Sequence, residues 1–216
     1  MTTAERRQNL KESLISAAER AIEAHGLGGL RARALADEVG CAVGAIYNVV
    51  ADLDELVLLV NSRTFAALER AIAAAGKNRE APRTPEQAIE RLVRLSVVYI
   101  DFAAANTHRW RALFEHRLPV GSNVPEWYLA EQMRLFSFVE GPLRVLQPKA
   151  SPKRLALLAR TLVSAAHGIV ALGLEEKLYT LPLTSLREQV TLVVSAIGRG
   201  LVSETEPPGR GRAAKG

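Results

Sequence analysis

The spacing of apolar residues constrains the fold most, because nearly the whole chain repeats them at intervals of three and four. Between Ala4 and His25 the apolar positions fall on one face of a helix; they are Leu10, Leu14, Ala17, Ala18, Ala21 and Ile22. No segment shows the strand–helix alternation of α/β proteins, and aromatic residues make up only 5% of the chain. The sequence therefore predicts an all-α fold of about nine helices.

Composition excludes several classes of protein. With 216 residues, of which 48% are hydrophobic, the chain is able to bury a substantial core. A single cysteine, Cys41, excludes a disulfide framework and any multi-cysteine zinc site. The first residues are polar and charged, so no signal peptide is expected. These features predict a cytoplasmic protein.

The net charge of +5 is compatible with a nucleic-acid partner without demonstrating one. Basic and acidic residues balance within residues 1–50, so the excess of positive charge lies further along the chain. Charge alone therefore does not locate a DNA-binding domain.

Periodicity and capping residues together predict the helix boundaries. The helices are expected over 4–25, 31–39, 43–49, 52–75, 85–105, a short stretch after Asn106, 125–146, 152–177 and 183–202. Asp52 is the predicted N-cap of the fourth helix, with Glu55 completing a capping box. Asn106 is the predicted cap of the sixth, and Gly141-Pro142 is expected to bend the seventh.

Three regions follow from this pattern. Residues 1–50 form a small domain, residues 51–203 form a larger helical domain, and residues 204–216, rich in Pro, Gly and Arg, form a disordered tail. The stretch from Leu155 to Leu174 approaches the length of a membrane span. Because Arg160 and His167 interrupt it, a buried or intersubunit helix is preferred and no membrane is predicted.

Residues 31–49 carry the main functional signal. They predict two short helices joined by a tight turn at Gly40, and the second helix is too short to be stable alone. A short helix held outward by its neighbours is the design of the helix-turn-helix, whose second helix enters the major groove of DNA.

Residues 14–56, LISAAERAIEAHGLGGLRARALADEVGCAVGAIYNVVADLDEL, resemble the N-terminal DNA-binding domain of TetR-family transcriptional regulators. The matching positions are Ala17, Ala18, Gly26, Arg33, Leu35, Ala36, Gly40, Gly44, Ala45, Ile46, Tyr47 and Leu56. The segments WRALFEH (110–116) and AAHGIVALGLEEKL (165–178) resemble a subgroup whose C-terminal domain is named for Trp, His and Gly signatures. The resemblance implies a helix-turn-helix domain followed by a domain for dimerisation and effector binding.

The resemblance also implies a set of DNA-contacting positions. They are Arg31, Arg33, Ala42, Val43, Gly44, Ala45, Tyr47 and Asn48. The family commonly has a Ser/Thr cap where Arg31 stands, and Ser where Ala42 stands. It commonly has His-Phe and then Lys where this chain has Val49, Val50 and Leu53. Arg6, Arg7, Lys11 and Arg31 are the candidates to replace the missing phosphate contacts.

Several of these residues have a second interpretation. Tyr47 either contacts DNA or packs the small domain, and Asn48 either contacts DNA or is solvated. Cys41 is interpreted as a small residue packing the turn, in preference to a redox sensor. Arg6, Arg7 and Lys11 either contact phosphate or form an ordinary solvated face beside Glu5 and Glu12.

Scarce aromatic residues concentrate in the middle of the chain and predict an effector pocket. Its residues are Tyr99, Phe102, Trp110, Phe114, Trp127, Met133, Phe136 and His167. The alternative is that these side chains form a packed core, with His167 hydrogen-bonded inside it. The predicted effector is a small apolar molecule.

The last two helices are apolar over more than one face, which predicts a homodimer interface. Its residues are Leu158, Leu162, Ala165, Ile169, Val190, Val194 and Ile197. A twofold dimer matches a pseudo-palindromic DNA operator.

The sequence thus predicts a homodimeric DNA-binding regulator, a repressor, whose affinity for double-stranded DNA is modulated by an effector. No cofactor, metal site or catalytic set is expected, because the histidines lack ligand spacing and no nucleophile motif occurs. The alternative is a helical dimeric interaction protein that retains the fold without binding an operator. A helical enzyme is a third and less favoured hypothesis.

Overall fold

A computed structural model describes residues 2–76, 80–175 and 181–204. In these residues it contains α-helices and a single 3-10 turn over Leu27–Gly29, with no strand. The helices are α1 (Thr3–His25), α2 (Ala32–Val39), α3 (Val43–Ile46), α4 (Leu53–Gly76), α5 (Pro85–Ala105), α6 (Thr107–Glu115), α7 (Glu126–Leu146), α8 (Pro152–Gly173) and α9 (Leu183–Ser203). The predicted all-α fold is therefore confirmed.

Local chemistry explains where α1 begins and ends. Thr2 caps the helix by accepting a hydrogen bond from Glu5 N, and the Glu5 carboxylate accepts one from Thr2 N in return. The helix ends at Gly26, whose φ of +65° favours glycine. Between these ends, Leu14, Ala17 and similarly spaced residues are buried, as the periodicity predicts.

The chain divides into two compact units. Unit 1 comprises Met1–Ala71 and Asp101–Met133, and unit 2 comprises Ile72–Ile100 and Arg134–Gly216. The predicted boundary at residues 50/51 does not coincide with this division, because the first half of α4 packs into the same core as α1, α2 and α3. The predicted tail after Glu204 lies outside the described residues.

The core of unit 1 is apolar and almost completely closed to solvent. It is built from Leu14, Ile15, Ala17, Ala18, Ile22, Leu35, Ala36, Ile46, Val49, Val50, Leu56, Val57, Val60 and Ala112. Each full burial of a Leu, Ile or Val side chain contributes about 1.5–3 kcal/mol. The small N-terminal helices are therefore stabilised mainly by their shared contact with α1 and α4.

A polar junction ties α1, α4 and α6 together beside this core. Glu19 on α1 accepts hydrogen bonds through both carboxylate oxygens, from Arg63 Nη1 on α4 at 2.9 Å and from Arg109 Nη2 on α6 at 2.8 Å. Arg63 also bonds Ser16 Oγ at 3.0 Å and pairs with Glu12. One carboxylate thus fixes two helices against a third.

Two histidines add further links from α6 to neighbouring helices. His108 Nδ1 lies 2.9 Å from the Glu23 carbonyl at the end of α1. His116 Nε2, just after α6, lies 2.8 Å from Asp54 Oδ1 in the first turn of α4. The short helix α6 is therefore held at both ends within unit 1.

Close packing of α8 and α9 dominates unit 2. A Cβ atom at Gly173 would overlap the Leu186 side chain, and one at Gly198 would lie 2.7 Å from Ile89 on α5. Glycine at these two positions therefore allows the helices to approach closely. The buried apolar residues of the two helices include Leu155, Leu162, Val170, Leu186, Val190 and Val194.

Three local predictions were wrong. The α-helical part of α3 ends at Ile46 rather than at 49, and α8 ends at Gly173 rather than at 177, with residues 176–180 outside the described range. Asn106 does not cap α6 through its side chain, because its amide donates to the Phe102 carbonyl instead. A side chain that bonds backward along α5 is not available to the following helix.

We expect Glu19→Gln to lower the free energy of unfolding by about 1–2 kcal/mol, since it leaves Arg63 and Arg109 without their shared carboxylate. Chemical denaturation measures this directly. Glu38→Gln is the matched control, because the Arg20–Glu38 pair is exposed and its loss should cost under about 0.5 kcal/mol. Equal effects of the two substitutions would contradict the junction's structural role.

Candidate functional site

The turn between α2 and α3 is formed by backbone hydrogen bonds and one glycine. Gly40 has a φ of +74° and its N–H bonds the Asp37 carbonyl at 3.3 Å. The Cys41 N–H bonds the Ala36 carbonyl at 2.9 Å. The left-handed residue ends α2 and redirects the chain into α3, as predicted for the helix-turn-helix.

The conformation of α3 depends on its anchor rather than on its own hydrogen bonds. The helix has only four residues and no side-chain N-cap, so it has no stability of its own. Ile46 is fully buried, and Val49 and Val50, which follow it, are 6% and 3% exposed. The turn continues beyond the helix, with Val50 N bonding the Ile46 carbonyl at 3.1 Å.

The predicted DNA-contacting residues share an exposed surface, which we call the α2–α3 face. Arg31, Arg33, Ala42, Val43, Gly44, Tyr47 and Asn48 are exposed, and Ala45 is half-buried. Tyr47 keeps 49% of its surface exposed, which argues against the interpretation that it packs the small domain. Val43, the first residue of α3, is 39% exposed.

One of the candidate phosphate ligands is already engaged within the protein. Lys11 Nζ lies 3.2 Å from Glu55 Oε1, so this side chain is paired within the protein, and its contact with phosphate remains a prediction. Burial alone raises the pKa of Glu55, but hydrogen bonds from the Ala51 N–H and from Lys11 outweigh it and hold the pKa below its usual value. Arg6 and Arg7 are exposed on the first turns of α1.

The predicted capping of α4 by Asp52 is confirmed, with one difference from a standard capping box. Glu55 N donates to Asp52 Oδ1 at 2.7 Å, and Glu55 Oε2 accepts from Ala51 N at 2.6 Å. The second bond reaches one residue further back than in a standard capping box.

Cys41 is half-buried against the apolar core of unit 1, in agreement with a packing role for this side chain.

The predicted effector residues are divided between the two units. In unit 1, Phe102 and Trp110 are buried, whereas Phe114, Trp127 and Met133 are 40–50% exposed. The Trp110 and Phe114 rings lie 5.5 Å apart, edge to face. Two of these five side chains therefore belong to the core, and the other three are open to solvent.

In unit 2, Tyr99 and His167 form a pair and Phe136 is half-buried. The Tyr99 hydroxyl lies 2.8 Å from His167 Nδ1. Burial lowers the pKa of His167, so the neutral imidazole is favoured in this hydrogen bond. A single pocket built from all eight residues remains a prediction.

Sequence reasoning missed a polar cluster between α4 and α7 in unit 1. Asn61 is fully buried and its amide donates to the Ala112 carbonyl at 3.2 Å and to the Tyr128 hydroxyl at 3.3 Å. The adjacent Ser62 donates to Glu131 at 2.8 Å. The available signal was an asparagine inside the apolar run of α4, where an unpaired amide is costly.

Unit 2 also contains an open groove of about 540 Å³ between the start of α5 and the end of α9. Ile89, Val93 and Val202 line its apolar part, and Glu86 and Arg199 lie along it. In the described part of the chain, no group of three or more His, Cys, Asp or Glu residues is placed to hold a metal ion.

Comparisons with known proteins connect these features to a family. Residues 92–197 match the family model described as "Tetracyclin repressor-like, C-terminal domain". No curated protein matches the chain. Residues 92–197 therefore form a TetR-type C-terminal domain. Its resemblance to the Trp-His-Gly subgroup remains a prediction.

Solved structures share the TetR fold across most of the chain. A protein of unknown function from Rhodococcus sp. RHA1 is 23% identical with a TM-score of 0.69, and the match covers 89% of this chain and 95% of that one. A tetR-family transcriptional regulator from Streptomyces coelicolor is 21% identical with a TM-score of 0.58, covering 94% and 89%. The multidrug binding protein EbrR, complexed with imidazole, is 20% identical with a TM-score of 0.54, covering 85% and 93%.

The predicted dimer residues need one correction. Leu162, Val190 and Val194 are at most 4% exposed within the single chain, so they form its own core rather than an intersubunit face. The periodicity of the sequence shows that a residue lies on the apolar face of a helix. It does not show whether that face is covered by the same chain or by a second subunit. The other predicted residues, Leu158, Ala165, Ile169 and Ile197, are half-buried.

Helix α8 is long and apolar enough to cross a membrane by composition, with a mean hydropathy of 1.7. It is the one such helix among the residues described. A core or interface helix of a soluble protein meets the same criterion, so this observation is weak evidence for a membrane.

Two glycines of the TetR-like helix-turn-helix should respond in opposite ways to alanine. Gly40→Ala should cost about 1–2 kcal/mol of unfolding free energy, because its φ is positive although a Cβ would meet nothing. Gly44→Ala, the control, lies in α3 with open space around it and should leave stability unchanged or raise it by up to about 1 kcal/mol. Thermal or urea unfolding measures both, and a Gly40→Ala protein as stable as the wild type would contradict the strained turn.

Proposed function

We propose that this chain is a DNA-binding transcriptional repressor that acts as a homodimer on a pseudo-palindromic operator in the cytoplasm. The observation that carries the proposal is the α2–α3 face, where Tyr47 and Asn48 stand exposed while Ile46 is fully buried beneath them. A short helix that is anchored in the core on one side and exposed to solvent on the other is suited to enter a major groove.

The chemistry of the α2–α3 face supports close contact with DNA. Gly44 has open space around it, so the backbone of α3 can approach a phosphate or a base edge. The Tyr47 hydroxyl can donate to a phosphate, and Arg31 and Arg33 supply positive charge at the start of α2. Arg6 and Arg7 remain candidates for further phosphate contacts, and Lys11 would first have to exchange its contact with Glu55 for one with phosphate.

An unpartnered apolar surface supports the homodimer. On α8, Leu157, Ser164, Gly168 and Leu172 fall on one face, with Leu157 56% and Leu172 63% exposed. On α9, Leu192 is 58% exposed, and Ala196 and Gly200 follow it at intervals of four. Only 28% of the apolar window of α8 is buried within the chain. A second copy would cover these leucines, and the small residues would allow close approach.

Effector control is the second part of the proposal. The aromatic residues near α6 and α7 and the similarity to EbrR, which is described as a multidrug binding protein, support a small-molecule ligand. A ligand that binds one dimer geometry better than another changes DNA affinity by that difference in binding free energy.

One observation favours a second candidate, a helical interaction protein without operator binding. Residues 40–51 contain no charged side chain, so α3 itself offers no cation to the DNA backbone. DNA affinity must then come from Arg31, Arg33 and the start of α1, and a failure to find any bound DNA sequence would favour this candidate.

Tyr47→Ala and Arg33→Ala should each weaken binding to the selected operator by about tenfold or more, because each removes a contact worth about 1–3 kcal/mol. In vitro selection of bound DNA followed by gel-shift titration gives the measurement. Arg154→Ala, an exposed arginine on α8, is the matched control and should bind normally. Unchanged affinity in both α2–α3 variants, with their folding intact, would refute the proposed interface.

Leu192→Glu should convert the dimer to monomers, because two charged side chains would replace an exposed apolar residue within the proposed interface. Light scattering after gel filtration reports the mass. Val120→Glu, a fully exposed loop position outside α8 and α9, is the control and should remain dimeric. A Leu192→Glu protein that remains dimeric would exclude this face.

A further inference from the structure

The polar cluster between α4 and α7 brings together two adjacent residues of one helix and two residues one turn apart on the other. Asn61 contacts Tyr128 and Ser62 contacts Glu131. The ring of Tyr128 packs against Phe65 at 5.4 Å and against Trp127 at 5.6 Å between centroids. We call Asn61, Ser62, Tyr128 and Glu131 the α4–α7 acceptor cluster.

Two oxygen atoms of this cluster are buried without a hydrogen-bond partner. They are Asn61 Oδ1 and Glu131 Oε2. The amide of Asn61 cannot be turned to relieve this, since its nitrogen is needed by the Ala112 carbonyl, and a flip would set two carbonyl oxygens against each other. Each buried acceptor of this kind normally has a donor, and a charged one is more costly to leave unpaired.

The neighbouring side chains do not supply the missing donors. Ser62 uses its hydroxyl on Glu131 Oε1, the other oxygen of the carboxylate. Burial raises the pKa of Tyr128, and the nearby Glu131 charge adds to this, so the side chain remains a neutral phenol. Among the described residues no Lys, Arg or His forms an ion pair with Glu131, while Arg63 and Arg109 are engaged with Glu19.

We propose that the α4–α7 acceptor cluster binds the ammonium group of a primary or secondary amine. Two N–H donors satisfy Asn61 Oδ1 and Glu131 Oε2, and the positive charge compensates the carboxylate. The carbon body of the amine lies against the aromatic side chains that surround Tyr128. This inference rests on the proposed effector control and names the chemical class of the effector.

Other occupants fit the cluster less well. An anion is repelled by Glu131. A bound water donates two hydrogen bonds but leaves the carboxylate charge uncompensated in an apolar setting. A divalent cation normally requires several carboxylate or carbonyl oxygens, and this cluster offers one carboxylate.

Calorimetric titration of the full chain in the absence of DNA tests the proposal with three probes of similar size. Benzylammonium has both the charge and the N–H donors, benzyltrimethylammonium has the charge alone, and benzyl alcohol has a neutral donor. Benzylammonium should bind the wild type about tenfold more tightly than either of the others. Equal binding of all three probes, or none, would overturn the proposal.

A matched pair of variants locates the binding site. Glu131→Gln keeps the shape and the bond to Ser62 but removes the charge, and it should weaken benzylammonium binding by about tenfold. Glu126→Gln makes the same change at an exposed position on the same helix and should bind normally. Undiminished binding by Glu131→Gln would overturn the site.

A crystal structure of the wild-type protein with benzylammonium provides a second test that does not depend on how the variants fold. Nitrogen within hydrogen-bond distance of both Asn61 Oδ1 and Glu131 Oε2 is expected. Water or a sodium ion there instead would overturn the proposal. If amine binding leaves operator affinity unchanged, the binding site stands but its role as the effector site is refuted. The DNA-binding proposal is tested separately, by the loss of operator binding in Tyr47→Ala.

Discussion

Burial of Ile46 is the contact on which the helix-turn-helix depends. Helix α3 has four residues and no capping side chain, so its hydrogen bonds cannot hold it in place. The helix is instead anchored by the buried side chains of Ile46, Val49 and Val50, in a core shared with α1, α2 and α4. Because these three inward positions are apolar, the outward positions around Tyr47 are free to be chosen for recognition without loss of the anchor. The departures from the family at Val49 and Val50 have the same origin, since both side chains complete the core.

Helix α4 connects that core with the polar cluster. Leu56, Val57 and Val60 pack under the recognition segment, and Asn61 follows Val60 directly in the chain. At a rise of about 1.5 Å per residue, the first and last of these positions lie about 8 Å apart along the helix. Glu19 fixes the same helix through Arg63 and fixes α6 through Arg109. A ligand that moves α4 by a fraction of an ångström therefore acts on an element that shares its core with the recognition helix.

The helical periodicity predicted the fold and most helix boundaries because each helix buries a regular stripe, and the turn at Gly40 was predictable from its residue type. The errors share a different cause, which is that periodicity does not identify the neighbour. Lys11 was interpreted as a phosphate contact or a solvated residue, because its partner Glu55 is 44 residues away in sequence. Val190 and Val194 were assigned to a second subunit although the same chain covers them. Asn61 was missed because its partners, Ala112 and Tyr128, come from two helices that only the folded chain brings to α4.

The absence of charge on α3 has a consequence for how this protein would discriminate between DNA sequences. A recognition segment of Gly44, Ala45, Tyr47 and Asn48 offers one hydroxyl, one amide and several methyl or methylene surfaces. Such groups read thymine methyls and single hydrogen-bonding positions, whereas guanine is most often read by the bidentate contact of an arginine. The nearest arginines are Arg31, which precedes α2, and Arg33 in its first turn, and both are better placed for phosphates or for the edge of the site. Selectivity would then come mainly from how well an apolar helix fits against the groove. That fit depends on the position of α3, which in turn depends on the core that α3 shares with α4. An effector would therefore have to change the packing of α4.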